Sequence, residues 1–287
     1  MNLSKRICSF IKLHKPSRIH RSFCSAAVKC KDAERDDQPQ NYIDIGSRSN
    51  ITPQQVFGLG LQLIPDFVTE EEENVLLDEI LPLFQSIKYL DIHWDNVIHN
   101  YREIEKSNWK EKRNELIITR IRTFIETHEK YKHRQKDHRI VWRPGVHIID
   151  LHEQGDIGKH VDNAKTGGEL VVGLSLLSDA LMKFRSEKVV HHEFVALLPR
   201  RSLYIMSDDI RWTIYVCNST ILKERNEISS SSRYNWNHEL VSNESESSFF
   251  KLQKFSKGRR ISLILRDFNL DDPIYQYLKA MQENPSQ

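Results

Sequence analysis

The sequence predicts an α+β protein whose core is mainly β: a double-stranded β-helix, or jelly roll, with N-terminal helices packed on its sheet. Three observations predict it. Beyond residue 141 the apolar residues fall into short runs at near-even spacing, over 146–151, 169–177, 181–184, 194–198, 202–206, 234–238 and 261–265, the texture of a sandwich or jelly roll. The residues of chemical interest sit on different runs: His160 and Asp162 precede His238, 78 positions after His160 (238 − 160), and they meet only if the ends of distant strands share one mouth. Before residue 141 two segments carry helical periodicity instead.

Taken from the start, residues 1–31 hold eight Lys or Arg and no acidic residue, with Ser and apolar residues between them. That is the composition of a mitochondrial presequence, with cleavage expected between 21 and 31, whereas a secretory signal would carry a longer apolar core. A basic arm for nucleic acid is the alternative. The full chain is +2 and this segment +8, so the remainder is −6 (2 − 8), a balance that does not draw polyanions in general. Cys8, Cys24, Cys30 and Cys217 form neither a disulfide framework nor a zinc-site spacing. No run of 18 apolar residues occurs, so no membrane span is expected.

Residues 32–50 are polar and aperiodic and read as a linker, with order beginning near Ile51. Residues 51–138 are expected to be the helical N-terminal part of the domain, 139–270 its β core, and 271–287 a C-terminal tail. Thr69 and Glu72 stand at capping-box spacing, Leu76, Leu77, Ile80 and Leu81 form an apolar face, and Pro82 stops that helix. A second helix is expected over 108–125 with Leu116, Ile117, Ile121, Phe124 and Ile125 on one side. Between them, 89–101 is rich in aromatic residues and His; it either lines a pocket mouth or covers the sheet, and cover is expected. The five Lys/Arg and three His of 128–139 read as a solvated loop rather than a nucleic-acid contact, because Tyr131 alone could stack on a base.

Two imidazoles and one carboxylate from His160, Asp162 and His238 would make a facial triad for non-haem Fe(II), leaving open positions for a bidentate cosubstrate and O2. Spacing alone decides little, since the chain holds a second His-x-Asp, His93-Trp94-Asp95. That one is read as a decoy in a helix-and-loop segment, whereas His160 is followed by a strand-like run and by the strands carrying His238, Arg260 and Arg266. Alternation along 260–266 puts Arg260, Ser262, Ile264 and Arg266 on one face, directed into the barrel. Guanidinium there suits a dianionic keto acid, because it fixes a carboxylate bidentately. Taken alone, Lys257 to Arg260 could equally be a solvated basic strand end.

The stretches HWDNVIHNYREIEKSNW, VHIIDLHEQGDIGKHVDNAKTGGELVVGLSLLS, RRSLYIM, RYNWNHEL and KGRRISLILR occur in this order. Together they resemble a mitochondrial branch of the AlkB-homologue family of Fe(II)/2-oxoglutarate dioxygenases, over roughly 51–267. The resemblance implies His160, Asp162 and His238 as iron ligands, Arg260 as partner of the distal carboxylate of 2-oxoglutarate, Arg266 near its chelating end, and Tyr204, with Ser262, as further cosubstrate contacts. It implies hydroxylation or demethylation in the mitochondrial matrix, of a protein or small-molecule substrate, by a monomer, with a role in regulated necrosis and fatty-acid metabolism. A mitochondrial RNA (tRNA) base demethylase is one alternative, and a metal-bound interaction protein with little turnover is another.

This chain departs from the family pattern in three places. Ser262 and Ile264 stand where the nucleic-acid-repair members have Asn and Thr. Residues 139–151 offer no equivalent of their nucleotide-recognition lid. Residues 211–232 form an insertion, either an exposed loop or a retained intron, which a fold tolerates entropically.

Overall fold

The computed structural model describes residues 39–132, 140–162, 168–187, 189–207, 236–245, 248–268 and 273–283. The expected presequence, all four cysteines and the 211–232 insertion lie outside them.

Eleven antiparallel strands form one curled sheet: β1 (Ile43–Asp44), β2 (Leu61–Ile64), β3 (Leu90–Ile92), β4 (Ile98–Lys106), β5 (Val146–His160), β6 (Val171–Leu176), β7 (Ala180–Ser186), β8 (Glu193–Leu198), β9 (Leu203–Met206), β10 (Trp236–Leu240) and a final strand over Arg260–Arg266. A separate two-stranded hairpin, β11 (Phe249–Phe250) with β12 (Gln253–Lys254), precedes that last strand, which is therefore β13. The sheet has two arms that share β5. The first half of β5 pairs with β4 on one side and β13 on the other, and β13 continues through β6 and β9 to β2. The last residues of β5 pair with β10, which continues through β7 and β8 to β1. This is the jelly-roll architecture expected from the even spacing of short apolar runs.

Between its two halves β5 carries Gly155, where an added Cβ would lie 2.6 and 2.7 Å from the carbonyl oxygens of Asn100 and His99. The register of β4 on β5 slips at that point. A bulge with close backbone approach is a position only glycine fills.

Alternation divides the side chains of β13 cleanly. Ile261, Leu263 and Leu265 join the outer core with Val172 and Leu174, while Ile264 joins the inner core enclosed by the arms. Arg260 and Ser262 are buried on the inner side too. The inner core draws Met182, Phe184, Phe194 and Trp236 from one arm and Ile149, Tyr204 and Met206 from the other.

Three helices matter to the argument: α1 (Pro53–Gly58), α2 (Glu70–Ile80) and α3 (Lys112–Thr127). Both α1 and α2 begin with capping boxes, the second from Thr69 and Glu72 as the spacing predicts. Leu76, Leu77 and Ile80 of α2 and Ile117, Ile118, Ile121 and Ile125 of α3 cover the outer face of the sheet. Helix α3 starts at Lys112, four residues later than the periodicity suggested. The backbone N–H groups of Lys110 and Glu111 donate to the Glu79 carboxylate, at 2.7 and 3.1 Å, and so are held outside the helix. Leu116 also differs from expectation, being 56% exposed while Ile118 takes the buried place.

The N-terminal half contributes strands as well as helices. β1 pairs with β8 inside the segment expected to be linker, anchored by buried Ile43; two residues are too few to show a period. Residues 89–101, expected as cover, form the β3–β4 hairpin. Residues 273–283 are helical within the expected tail. No helix among the described residues is long and apolar enough to cross a membrane.

Candidate metal centre

The two imidazoles meet because of register. His238 in β10 stands directly opposite His160 at the end of β5 and opposite Phe184 in β7, leaving the imidazole centroids 4.3 Å apart. Asp162 follows β5 by two residues, and one ligand atom from each of the three residues falls within 4.8 Å of the others. His238 is buried, while His160 and Asp162 are half-buried.

Gly158 fixes the approach to the site. Its N–H donates to Val97 O at 2.7 Å, and its carbonyl accepts from His160 Nδ1 at 2.9 Å. With Nδ1 carrying that proton, Nε2 presents a lone pair, the usual way a ligating imidazole is oriented. The register of β10 on β5 slips between His238 and Leu240, and such an irregularity re-aims a side chain next to a site.

A cavity of about 280 Å³ opens on the three residues. Its walls are largely apolar, with Ile149, Ile157, Val171 and Met182 among them, and its other polar groups are Asp95, His147, Tyr204 and Arg266. Of the sequence-predicted residues, Tyr204 and Arg266 therefore line the same cavity as the triad. Arg260 and Ser262 do not line it and are sealed in the protein behind it.

Arg260 donates through Nη1 to Ser262 Oγ and through Nη2 to Ser175 Oγ, the latter at 2.7 Å. Burial pushes its guanidinium down from the ordinary value, with Tyr204 opposing. No carboxylate among the described residues pairs with it. A buried cation without a counter-charge is costly, and an anionic ligand removes that cost.

Tyr204 is placed by its neighbour across the sheet. Gly173 faces it from β6, and a Cβ there would lie 2.1 Å from the ring carbon that bears the hydroxyl. Arg266 Nη1 lies 3.3 Å from His147 Nδ1, and His147 Nε2 meets Glu103 at 2.7 Å. That bond to His147 holds the Glu103 carboxyl below its ordinary value, against burial. Sequence reasoning missed His147, Glu103 and Gly173. Period two on β5 and β6 was the available signal for His147 and Gly173; for Glu103, 44 residues before its partner, there was none.

The second His-x-Asp behaves unlike the first and unlike its reading as a segment of helix and loop. Asp95 lies at the turn of the β3–β4 hairpin and lines the cavity, outside the ligand set. Its Oδ1 is held by His93 Nδ1 at 2.6 Å and by Val97 N–H at 3.0 Å. Burial raises the Asp95 carboxyl, and these two bonds bring it below its ordinary value.

No protein-family model matches the chain. Among curated proteins it is 32% identical over 202 residues to the alpha-ketoglutarate-dependent dioxygenase alkB homolog 7, mitochondrial, of Mus musculus, covering 70% of this chain and 76% of that protein. The protein of the same name from Bos taurus is 31% identical over 208 residues, with the same coverage. Among solved structures, a Trichoplax adhaerens prolyl hydroxylase in complex with a hypoxia inducible factor peptide fragment superposes with a TM-score of 0.47 at 15% identity, over 78% of this chain and 89% of that one. The structure of OsALKBH1 gives 0.46 at 11% identity, over 72% and 97%.

Proposed function

The chain belongs to the AlkB-homologue family of alpha-ketoglutarate-dependent dioxygenases, and from that premise we propose that His160, Asp162 and His238 hold Fe(II) and that Arg260, Tyr204, Ser262 and Arg266 hold 2-oxoglutarate. The observation that carries this reading is the register placing His238 opposite His160 with Asp162 in reach. A two-His, one-carboxylate donor set of this kind suits Fe(II) and leaves positions open for cosubstrate and O2.

Iron held by His160, Asp162 and His238 would supply the oxidation of 2-oxoglutarate to succinate and carbon dioxide, with one oxygen atom of O2 entering succinate and the other inserted into a substrate C–H bond. A hydroxylated N-methyl group then releases formaldehyde, so hydroxylation and demethylation are one chemistry. The protein's part is binding and exclusion. Arg260 offers a fixed guanidinium, already braced by Ser262 and Ser175, to the distal carboxylate. Arg266, steadied by His147, serves the chelating end. The apolar walls keep water from the reacting C–H bond.

The relatives are named mitochondrial, and with the basic, acid-free residues 1–31 this supports work in the mitochondrial matrix. The substrate class favoured is a polypeptide, with RNA second. The cellular role proposed is in regulated necrosis and fatty-acid metabolism. Cells carrying Asp162→Ala should lose it; an unchanged phenotype would instead support an interaction protein.

Anaerobic titration with Fe(II) and 2-oxoglutarate tests the centre. The intact chain should develop the visible charge-transfer band of chelated cosubstrate, and Asp162→Ala should not. A band of equal strength in both would remove Asp162 from the ligand set.

A further inference from the structure

The β3–β4 hairpin carries features that iron and cosubstrate binding leave unused. β3 pairs with β4 alone among the described strands, so its outer edge has no strand partner there. Its apolar residues are turned to solvent: Leu90 is 53% exposed, Ile92 50% and Trp94, just past the strand, 87%. Leu90 and Ile92 stand two positions apart on one side of the extended strand, and Trp94 follows them in the hairpin turn. Proteins normally blunt such an edge with Lys, Pro or a covering element, because its backbone is a template for another strand. Here β3 is short, three residues with Asp91 at its centre, and residues 89–101 contain no Pro, no Lys and no Arg. The edge also leads somewhere, since Asp95, three residues beyond β3, lines the cavity of the triad.

We propose that this hairpin is the substrate-docking element: an extended polypeptide adds as a strand to the free edge of β3, and Asp95 receives a cationic side chain of that polypeptide at the cavity mouth. Strand addition supplies affinity through the backbone and reads side chains at alternate positions, which matches the spacing of Leu90 and Ile92 in β3, with Trp94 in the turn beyond them. Asp95 suits a cation, because its carboxylate is fixed through Oδ1 by His93 and Val97 N–H while the side chain stays 36% exposed at the cavity. Charge selects between partner classes. The two acids of 89–101, Asp91 and Asp95, and the absence of Lys or Arg repel a phosphate backbone and suit a basic polypeptide. Geometry adds an offset. With strands about 4.8 Å apart and about 3.3 Å of rise per residue, the target residue falls about three to five residues beyond the docked strand.

The inference rests on the oxygenase reading above, and one experiment separates the two. Protein loaded anaerobically with Fe(II) and 2-oxoglutarate is offered a degenerate peptide library with one fixed lysine and, separately, a degenerate RNA 12-mer library. Recovered peptides should show apolar residues at alternate positions, offset from the lysine. Leu90→Glu combined with Ile92→Glu should lower peptide recovery at least about tenfold. Asp95→Asn should remove the lysine preference and keep the alternate-position preference. Selection without that alternation, undiminished recovery by the double variant, or RNA recovery that Trp94→Ala abolishes while peptides fail would each overturn the proposal. The charge-transfer band, read on the same samples, reports the metal centre: selection without a band refutes the centre and keeps the docking edge, and a band without selection does the reverse.

Discussion

A single hydrogen atom sets the position of a cosubstrate contact. Tyr204 lies over Gly173 so closely that a methyl group would occupy the place of its ring, and both residues sit in well-packed neighbouring strands. Gly173→Ala should therefore move the ring and raise, about tenfold or more, the 2-oxoglutarate concentration that half-saturates the charge-transfer band. Thermal unfolding should change far less than the band; an unaltered titration would remove Tyr204 from the cosubstrate site. At this scale the sequence was legible where strand alternation governs, since Arg260, Ser262, Ile264 and Arg266 share the inner face as period two requires. It was illegible where a partner comes from another strand. Nothing near His147 announces Glu103, and Asp95 looked like a decoy because its relation to the cavity is made by the hairpin.

Among the elements, α3 depends on one carboxylate outside it. Glu79 of α2 accepts the N–H groups of Lys110 and Glu111, the Asn114 amide at 2.9 Å and Lys106 Nζ at 2.9 Å. Burial works against its ionised form, yet these donors hold its carboxyl down at about 2 from 4.5. The folded state thus favours the ion. Its contribution is complete above about pH 4.5 and disappears as pH falls towards 2. Glu79→Gln should destabilise the protein at pH 7 by roughly 2–3 kcal/mol and flatten the acid limb of a denaturant-derived stability profile between those pH values. An acid limb as steep as that of the parent would show that Glu79 is not its source. The helices were legible through capping box and apolar stripe. The start of α3 was not, because it is decided by an acceptor about thirty residues earlier, beyond any local pattern. The β3–β4 hairpin escaped for a related reason: its outer strand is only three residues long and exposed throughout, too short for its alternation to stand out, and its inner strand is irregular at Asn100, which has φ of 48°.

At the scale of the whole molecule, the charge of the full chain and that of the chain without residues 1–31 have opposite signs, +2 and −6. Residues 1–31 fused to a reporter should carry it into mitochondria, and a reporter left in the cytosol would end the targeting claim. The jelly roll was legible as a class from its evenly spaced apolar runs. Its continuous strand order was not, since pairing between distant segments is a property of topology. That topology has a kinetic side. β5 finds its neighbours nearly fifty residues upstream in β4 and more than a hundred downstream in β13, so the contacts that shape the centre are of high sequence separation and form slowly. An emerging chain that has reached Asp162 possesses two of the three triad residues and none of the strand bearing Arg260. Until its last tenth or so is available, β5 stays without the neighbour that carries Arg260 and Arg266, an aggregation-exposed interval of the sort chaperones shelter.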